Sequence, residues 1–447
     1  MTTPADAAGL IRSRPYLALL AIAAIIGVPI SVVAYFFLEL VSQLQHWIFS
    51  SLPHALGFSA DPAWWPIPPL TIAGLLVGLT IRYLPGTGGH SPVDGLDTKG
   101  APGAAELPGV FLAALATLSL GAVLGPEAPL IALGGGLAAC AGRLARRDMP
   151  AATLAVVAAA GSFAAISALL GSPLIGAFLL MEAVGLGGAS LELVLLPGLL
   201  AAGVGSLIFV GLNDWTGLGT FSLKIGHLPH FGRPDLAEFA WAVAIGLAAA
   251  VLGTAIRRIG RLLRTHVERR LLVATPVAGL AIAGLAIAYA AGTGRSFSEV
   301  LFSGQSALPS LISHAGSYSV GALLLLLSCK GLAYAISLSA FRGGPVFPSM
   351  FLGAAGGIAV AELPGLPMVA GVAMGIGAMC AVMLRLPLTS VLLATLLLYS
   401  DGVAVMPLVI VAVVVAYMAS AWLAPPPSPP PSPPSPPSPP AHPLGMA

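Results

Sequence analysis

Apolar runs recur along nearly the whole chain, near 16–43, 66–84, 107–124, 128–145, 151–170, 173–186, 191–212, 235–257, 271–292, 318–340, 349–361, 367–384, 387–400 and 403–423. A helix that crosses a bilayer needs about 20 apolar residues, and fewer when it is re-entrant and shielded by protein. The pattern therefore predicts an all-α polytopic membrane protein in which several helices are too short to cross alone. The first run exceeds a signal-peptide core and shows no obvious cleavage site, so it reads as a retained helix.

The short runs are broken at glycine-proline pairs. Gly125-Pro126-Glu127-Ala128-Pro129 precedes Leu133-Gly134-Gly135-Gly136, and Gly344-Pro345-Val346-Phe347-Pro348 precedes Leu352-Gly353-Ala354-Ala355-Gly356. Farther on, Ser172-Pro173-Leu174-Ile175-Gly176 is echoed by Leu386-Pro387-Leu388-Thr389-Ser390. A polar stretch at 213–234, with Asn213, Asp214, His227, His230 and Arg233, separates the two sets. Broken helices at matching positions of two halves indicate an internal repeat with a binding site near the membrane midplane. The expected boundaries are a short N-terminal segment at 1–14, a transmembrane domain at 15–424 with halves near 15–212 and 235–424, and a proline-rich tail at 425–447. The tail composition suits polyproline II or disorder and cannot pack a core.

Composition sharpens this picture. The chain of 447 residues is 57% hydrophobic and only 8% charged, against about 25% charged for an average soluble protein. A soluble globular enzyme is excluded. The formal net charge of +2 is too small and too scattered for a nucleic-acid footprint. Most of the 54 glycines lie inside apolar segments, where small residues let membrane helices approach closely. Cys140, Cys329 and Cys380 stand singly, without metal spacing, and read as buried structural thiols. Basic residues cluster at Arg12/Arg14, Arg143/Arg146/Arg147 and Arg257 through Arg270, which the positive-inside rule places in the cytoplasm together with the N-terminus.

Ionisable groups inside apolar runs are candidates for function. Glu127 opens a glycine-rich helix, where free N–H groups and the positive dipole end favour either a carboxylate or a bound anion. Glu182 is a second isolated carboxylate, able to relay protons or to pair with a neighbouring helix. Lys330 reads as a snorkelling or paired lysine, and Arg342 opens the second break. In Pro85-Gly86-Thr87-Gly88-Gly89-His90-Ser91-Pro92, three glycines and two hydroxyls could turn several donors toward one point. No cofactor motif, paired cysteines or nucleophile-base constellation is present in the sequence, so an enzyme is not expected.

Taken in order, the three breaks resemble the chloride channel and chloride-proton antiporter family, CLC, in its prokaryotic form without cytoplasmic regulatory domains. Gly125-Pro126-Glu127-Ala128-Pro129 is similar to the family's GREGP segment, and Gly343-Gly344-Pro345-Val346-Phe347-Pro348 to its GxFxP segment. Gly86 through Pro92 is similar to GSGIP, with two extra residues before the proline. The resemblance implies a homodimer of subunits built from two inverted-topology halves of tilted and broken helices, in the cell membrane. It further implies one path per subunit for chloride-like inorganic anions, with protons as possible co-substrates, no resident cofactor and no metal. Glu127 would be the gating glutamate, with Thr87, Gly88, Ser91, Pro126, Gly344, Val346 and Phe347 around the anion and Glu182 as the tentative proton-pathway residue. The central hydroxyl corresponds to Thr87 by spacing or to Ser91 by residue type, and Thr87 is slightly favoured.

The departures from the family pattern have expected consequences. Pro126 and Pro345 each remove an N–H donor, and Val346 stands where the motif has phenylalanine, so contacts are expected to shift by one residue toward Phe347. Ala183 aligns with the glutamate that coupled relatives use for protons, and no pore tyrosine follows Trp422. The sequence reading is thus a channel or an anion/proton antiporter for chloride-like ions. A fluoride/proton antiporter is an alternative, as is a cation-coupled secondary transporter using Glu127 and Glu182 as ligands.

Overall fold

The computed structural model describes residues 9, 11–59, 61–96, 100–170, 172–185, 189–218, 231–232, 234–398 and 402–424. The N-terminal segment before residue 9, the histidines of the central polar stretch and the proline-rich tail lie outside the described residues. In the first half, apart from one helical turn at Leu52–Ala55, the α-helices are α1 (Arg14–His46), α2 (Ile67–Tyr83), α3 (Leu107–Ser119), α4 (Glu127–Ala145), α5 (Ala151–Leu170), α6 (Pro173–Val184) and α7 (Ala189–Thr216). The second half holds α8 (Leu236–Arg269), α9 (Leu271–Thr293), α10 (Leu308–Ser313), α11 (Val320–Ala340), α12 (Val346–Ala361), α13 (Met368–Leu384), α14 (Pro387–Leu397) and α15 (Gly402–Leu423). A π-helical turn, Trp47–Ser51, follows α1. Two short 3-10 turns, Pro85–Gly88 and Pro92–Asp94, lie between α2 and α3.

Among the described residues, seven helices are long and apolar enough to span a bilayer, and a comparable set of apolar helices is shorter. The short helices are where the sequence puts its breaks. The run expected at 107–124 stops at Ser119 because the chain then turns through Gly121 at φ +103°, a conformation that favours glycine. The run expected at 235–257 instead continues to Arg269. Arginines 257, 258, 261 and 264 end the apolar pattern without ending the helix, since arginine is a good helix former. This helix begins in a capping box, with Asp235 accepting from the Glu238 N–H and Glu238 accepting from the Asp235 N–H.

Contacts at the helix ends set the topology. Trp65 Nε1 donates to Ile48 O, so α2 starts beside the end of α1 and returns to the face where α1 began. On that face Asp94, just past α2, pairs with Arg264 near the end of α8 at 2.6 Å. Helix α4 heads the same way, since its Gly136 packs on Pro102 and Leu107 at the start of α3. Helix α12 heads the other way, since Gly365, just after it, lies against Trp241 in the first turns of α8. The two helices that follow the breaks therefore leave the middle of the molecule in opposite directions, as inverted halves require. The basic clusters at Arg14, at Arg143 through Arg147 and at Arg257 through Arg270 consequently share one face.

Each of these helices packs on its successor through glycine. The Gly134 and Gly161 backbones touch between α4 and α5, and Gly353 meets Gly375 between α12 and α13. A Cβ at any of these four positions would overlap the facing helix. Close backbone approach of this kind is how helices associate where no water drives them together. Cys329 and Cys380 are buried and Cys140 is half-buried, all as free thiols.

Candidate functional site

The two breaks meet at the centre. Gly125 and Gly344 form an isolated antiparallel bridge, in which Gly125 N–H donates to Gly344 O at 2.8 Å and Gly344 N–H donates to Gly125 O at 2.6 Å. Such a mutual pair has local two-fold symmetry. Under that two-fold Pro126 corresponds to Pro345, Glu127 to Val346 and Pro129 to Pro348.

Glu127 is fully buried and its side chain crosses the bridge. Its Oε1 accepts the Phe347 N–H at 2.8 Å, in the first turn of α12. Among the described residues, its Oε2 has no hydrogen-bond partner. The carboxylate therefore occupies a helix N-terminus, the place an anion would take. Room for it exists because Gly125 and Gly344 carry no side chain; a Cβ on either would run into the carboxylate. Pro126 and Pro345 carry no N–H, and the Phe347 N–H is within hydrogen-bond distance of Oε1.

The first loop is strained into the left-handed region at four consecutive residues, Gly86 at φ +76°, Thr87 at +50°, Gly88 at +69° and Gly89 at +95°. Three of these are glycines, which adopt that conformation without steric cost. The loop joins the second break through Arg342, whose Nε donates to Thr87 O at 3.2 Å and whose side chain passes over Gly88. The Arg342 N–H in turn donates to Thr117 Oγ1. Thr87 is exposed, Gly88 buried and Ser91 half-buried. Among the described residues, neither the Thr87 nor the Ser91 hydroxyl is hydrogen-bonded to Glu127. The structure thus gathers Pro126, Glu127, Gly344, Val346 and Phe347 directly, and brings in Thr87 and Gly88 through Arg342.

Glu182 is placed elsewhere. Its Oε1 accepts the Leu388 N–H at 3.0 Å, and its Oε2 accepts the Thr389 N–H at 2.8 Å and the Thr389 hydroxyl at 2.7 Å. A carboxylate from the first half thereby caps α14 in the second, where the charge is favoured by the helix dipole.

Helix α11 carries three polar groups on one face, Lys330, Tyr334 and Ser337, all buried. Lys330 does not snorkel. Its Nζ donates to the carbonyls of Glu299, Val300, Leu301 and Phe302 at 3.0 to 3.3 Å and lies 4.4 Å from the Phe351 ring centroid. Tyr334 donates to Pro345 O at 3.0 Å, and the Val123 N–H donates to Ser337 Oγ at 3.0 Å. One helix therefore fastens the chain ahead of both breaks. Tyr334 and Ser337 were missed by motif reading; the signal available was their i, i+4, i+7 spacing with Lys330 on an otherwise apolar helix.

The sequence profile of the family described as voltage gated chloride channel matches residues 73–421. The chain belongs to this family. The "Putative ion-transport protein YfeO" of Salmonella schwarzengrund (strain CVM19633) is 31% identical over 355 residues, covering 78% of this chain and 81% of the relative. The protein of that name from Salmonella typhimurium (strain LT2) is likewise 31% identical, with the same coverage. Among solved CLC structures, that of a slow cyanobacterial Cl−/H+ antiporter superposes with a TM-score of 0.74 at 20% identity, over 91% of this chain and 94% of that one. A CLC-type fluoride/proton antiporter gives 0.66 at 19% identity, over 94% and 98%. The CLC fold, all-helical and multi-pass, is therefore established for this chain.

Proposed function

We propose that this CLC protein moves small monovalent anions of the chloride type across a membrane, and that Glu127 is the gate. The observation that carries the reading is the position of the Glu127 carboxylate on the Phe347 N–H at the bridge of the two breaks. An ionised carboxylate there competes with an anion for the same donor. Protonation removes the charge and weakens its hold on the N–H, so the side chain can leave and an anion can enter, bound weakly enough to leave again.

Glu182 is not the inner proton carrier in this reading, because three donors from α14 hold its two oxygens. With alanine at 183, the proton-coupling carboxylate of coupled relatives has no counterpart at that position, which favours anion flow without obligatory proton exchange. We place the basic face in the cytoplasm, on the excess of arginine there, the molecule in a cell membrane, and two copies in a homodimer with one path each, as in the family resemblance.

Anion efflux from liposomes holding purified protein, with external pH recorded, tests the reading. Chloride efflux in wild type that changes in Glu127→Ala is expected. Absence of efflux of chloride and fluoride alike would overturn it, while fluoride efflux alone would select the fluoride reading. Stimulation by sodium would point to cation coupling.

A further inference from the structure

A cavity of about 820 Å³ runs from Gly100 and Ala152, on the basic face, to Ala128 and Pro129 in the first turn of α4. It adjoins both the first loop, through Gly86, Gly88 and Gly89, and the second break, through Gly343. Among the described residues, Arg342 is the one lysine or arginine along its wall.

The bonds of Arg342 leave its charge without a direct counter-ion. Its Nε and Nη1 donate to the neutral carbonyls of Thr87 and Phe341, and among the described residues no carboxylate lies within ion-pair distance of it. Arg264, Glu268 and Asp94 act on its charge from nearby, and both of these carboxylates are already paired with Arg264 at 2.6 Å. Of the other titratable groups on the cavity wall, Glu106 accepts the Gly103 N–H and His90 lies on the first loop. A guanidinium has five N–H donors in a fixed fork, and a cation fixed in a walled cavity raises the local concentration of anions. At the corresponding first break the chain has Pro126 and no cationic side chain.

We propose that Arg342 is an anion-binding residue of this cavity, holding a small monovalent anion such as chloride beside the first loop before it reaches the Glu127 position. The inference rests on the transport reading for its purpose, but the binding it asserts can be measured without transport. The second break then serves twice. Its Gly344 seats the gate, and the residue two places earlier gathers the ion.

Chloride binding to purified protein in detergent, by calorimetry, and chloride efflux from liposomes are compared for wild type, Arg342→Met and Arg342→Lys. The Met variant is expected to weaken chloride binding about tenfold and to raise KM for chloride in parallel, more than it lowers the maximal rate. The Lys variant is expected to recover most of the affinity, since it retains the charge although it loses the fork. Unchanged chloride affinity in the Met variant overturns the proposal, as does a Lys variant as defective as Met, the result of a merely structural tie to Thr87. Should the Met variant not fold, the Lys variant decides: near-normal affinity supports the role of charge and lost affinity overturns it. Wild type that binds chloride through Arg342 but transports none would sink the transport reading and leave this one standing.

Discussion

The N–H of Val123 donates to the hydroxyl of Ser337 at 3.0 Å, so a side chain from the second half holds the chain of the first half two residues ahead of the Gly125 bridge. Three residues earlier on the same helix, Tyr334 does the equivalent for the second half at Pro345. The two breaks are thus aligned by one helix as well as by each other.

Ser337→Ala leaves the buried Val123 N–H unpaired, which costs about 1–3 kcal/mol. Tyr334→Phe leaves Pro345 O bonded to the Ser349 hydroxyl, so its cost is expected near the lower end, about 1 kcal/mol. Thermal unfolding of the protein in detergent, followed by size-exclusion recovery, should rank Ser337→Ala as the less stable.

Glu127→Gln cannot ionise, so it should remove the dependence of anion flux on pH. Wild-type flux is expected to rise as pH falls, because the protonated carboxyl is the weaker competitor for the Phe347 N–H. Hydrogen bonds to charged groups contribute about 1.5–3 kcal/mol, so at high pH the variant should conduct about tenfold faster or more. Liposome efflux across a pH series reads both effects.

Gly344→Ala gives an independent check of the seat. Its new methyl would occupy the space of Glu127 Oε2, expelling the carboxylate without altering it. Flux in this variant should resemble that of Glu127→Ala, with a flat pH response. A normal pH response in a folded Gly344→Ala protein would contradict the gating role of the seated carboxylate.

Lys330→Met strips four carbonyls of a common donor, and part of the loss is the desolvation of groups left unpaired. The expected cost is about 3 kcal/mol or more. Recovery of monodisperse protein after mild heating should fall further for this variant than for either α11 neighbour.

Glu182→Gln keeps shape but gives up the charge at the α14 N-terminus. A modest loss of stability is expected, about 1 kcal/mol, with the ratio of protons to anions moved unchanged from wild type. A change in that ratio would return Glu182 to the proton path.

The breaks and the short helices were legible in the sequence because glycine-proline pairs interrupt an otherwise uniform apolar pattern, and Glu127 stood out as a carboxylate in apolar company. The end of α8 was not legible, since a row of arginines looks like a loop to a hydropathy reading although the helix runs on to Arg269. The contacts of Arg342 and of the α11 stripe were hidden for another reason. Their partners, Thr87 for Arg342 and Val123 for Ser337, lie 255 and 214 positions away in the chain, and no local pattern encodes a contact of that range. Glu182 was visible as an isolated acid, but its contacts with Leu388 and Thr389, 206 and 207 positions away, were not.

The reciprocal pair at Gly125 and Gly344 has one more consequence. A bridge laid across a two-fold axis offers equal ease in both senses, and its own two backbone bonds do not distinguish inward from outward. Polarity must come from the positions where the two halves disagree, and the foremost of these is Glu127, whose counterpart across the axis is Val346.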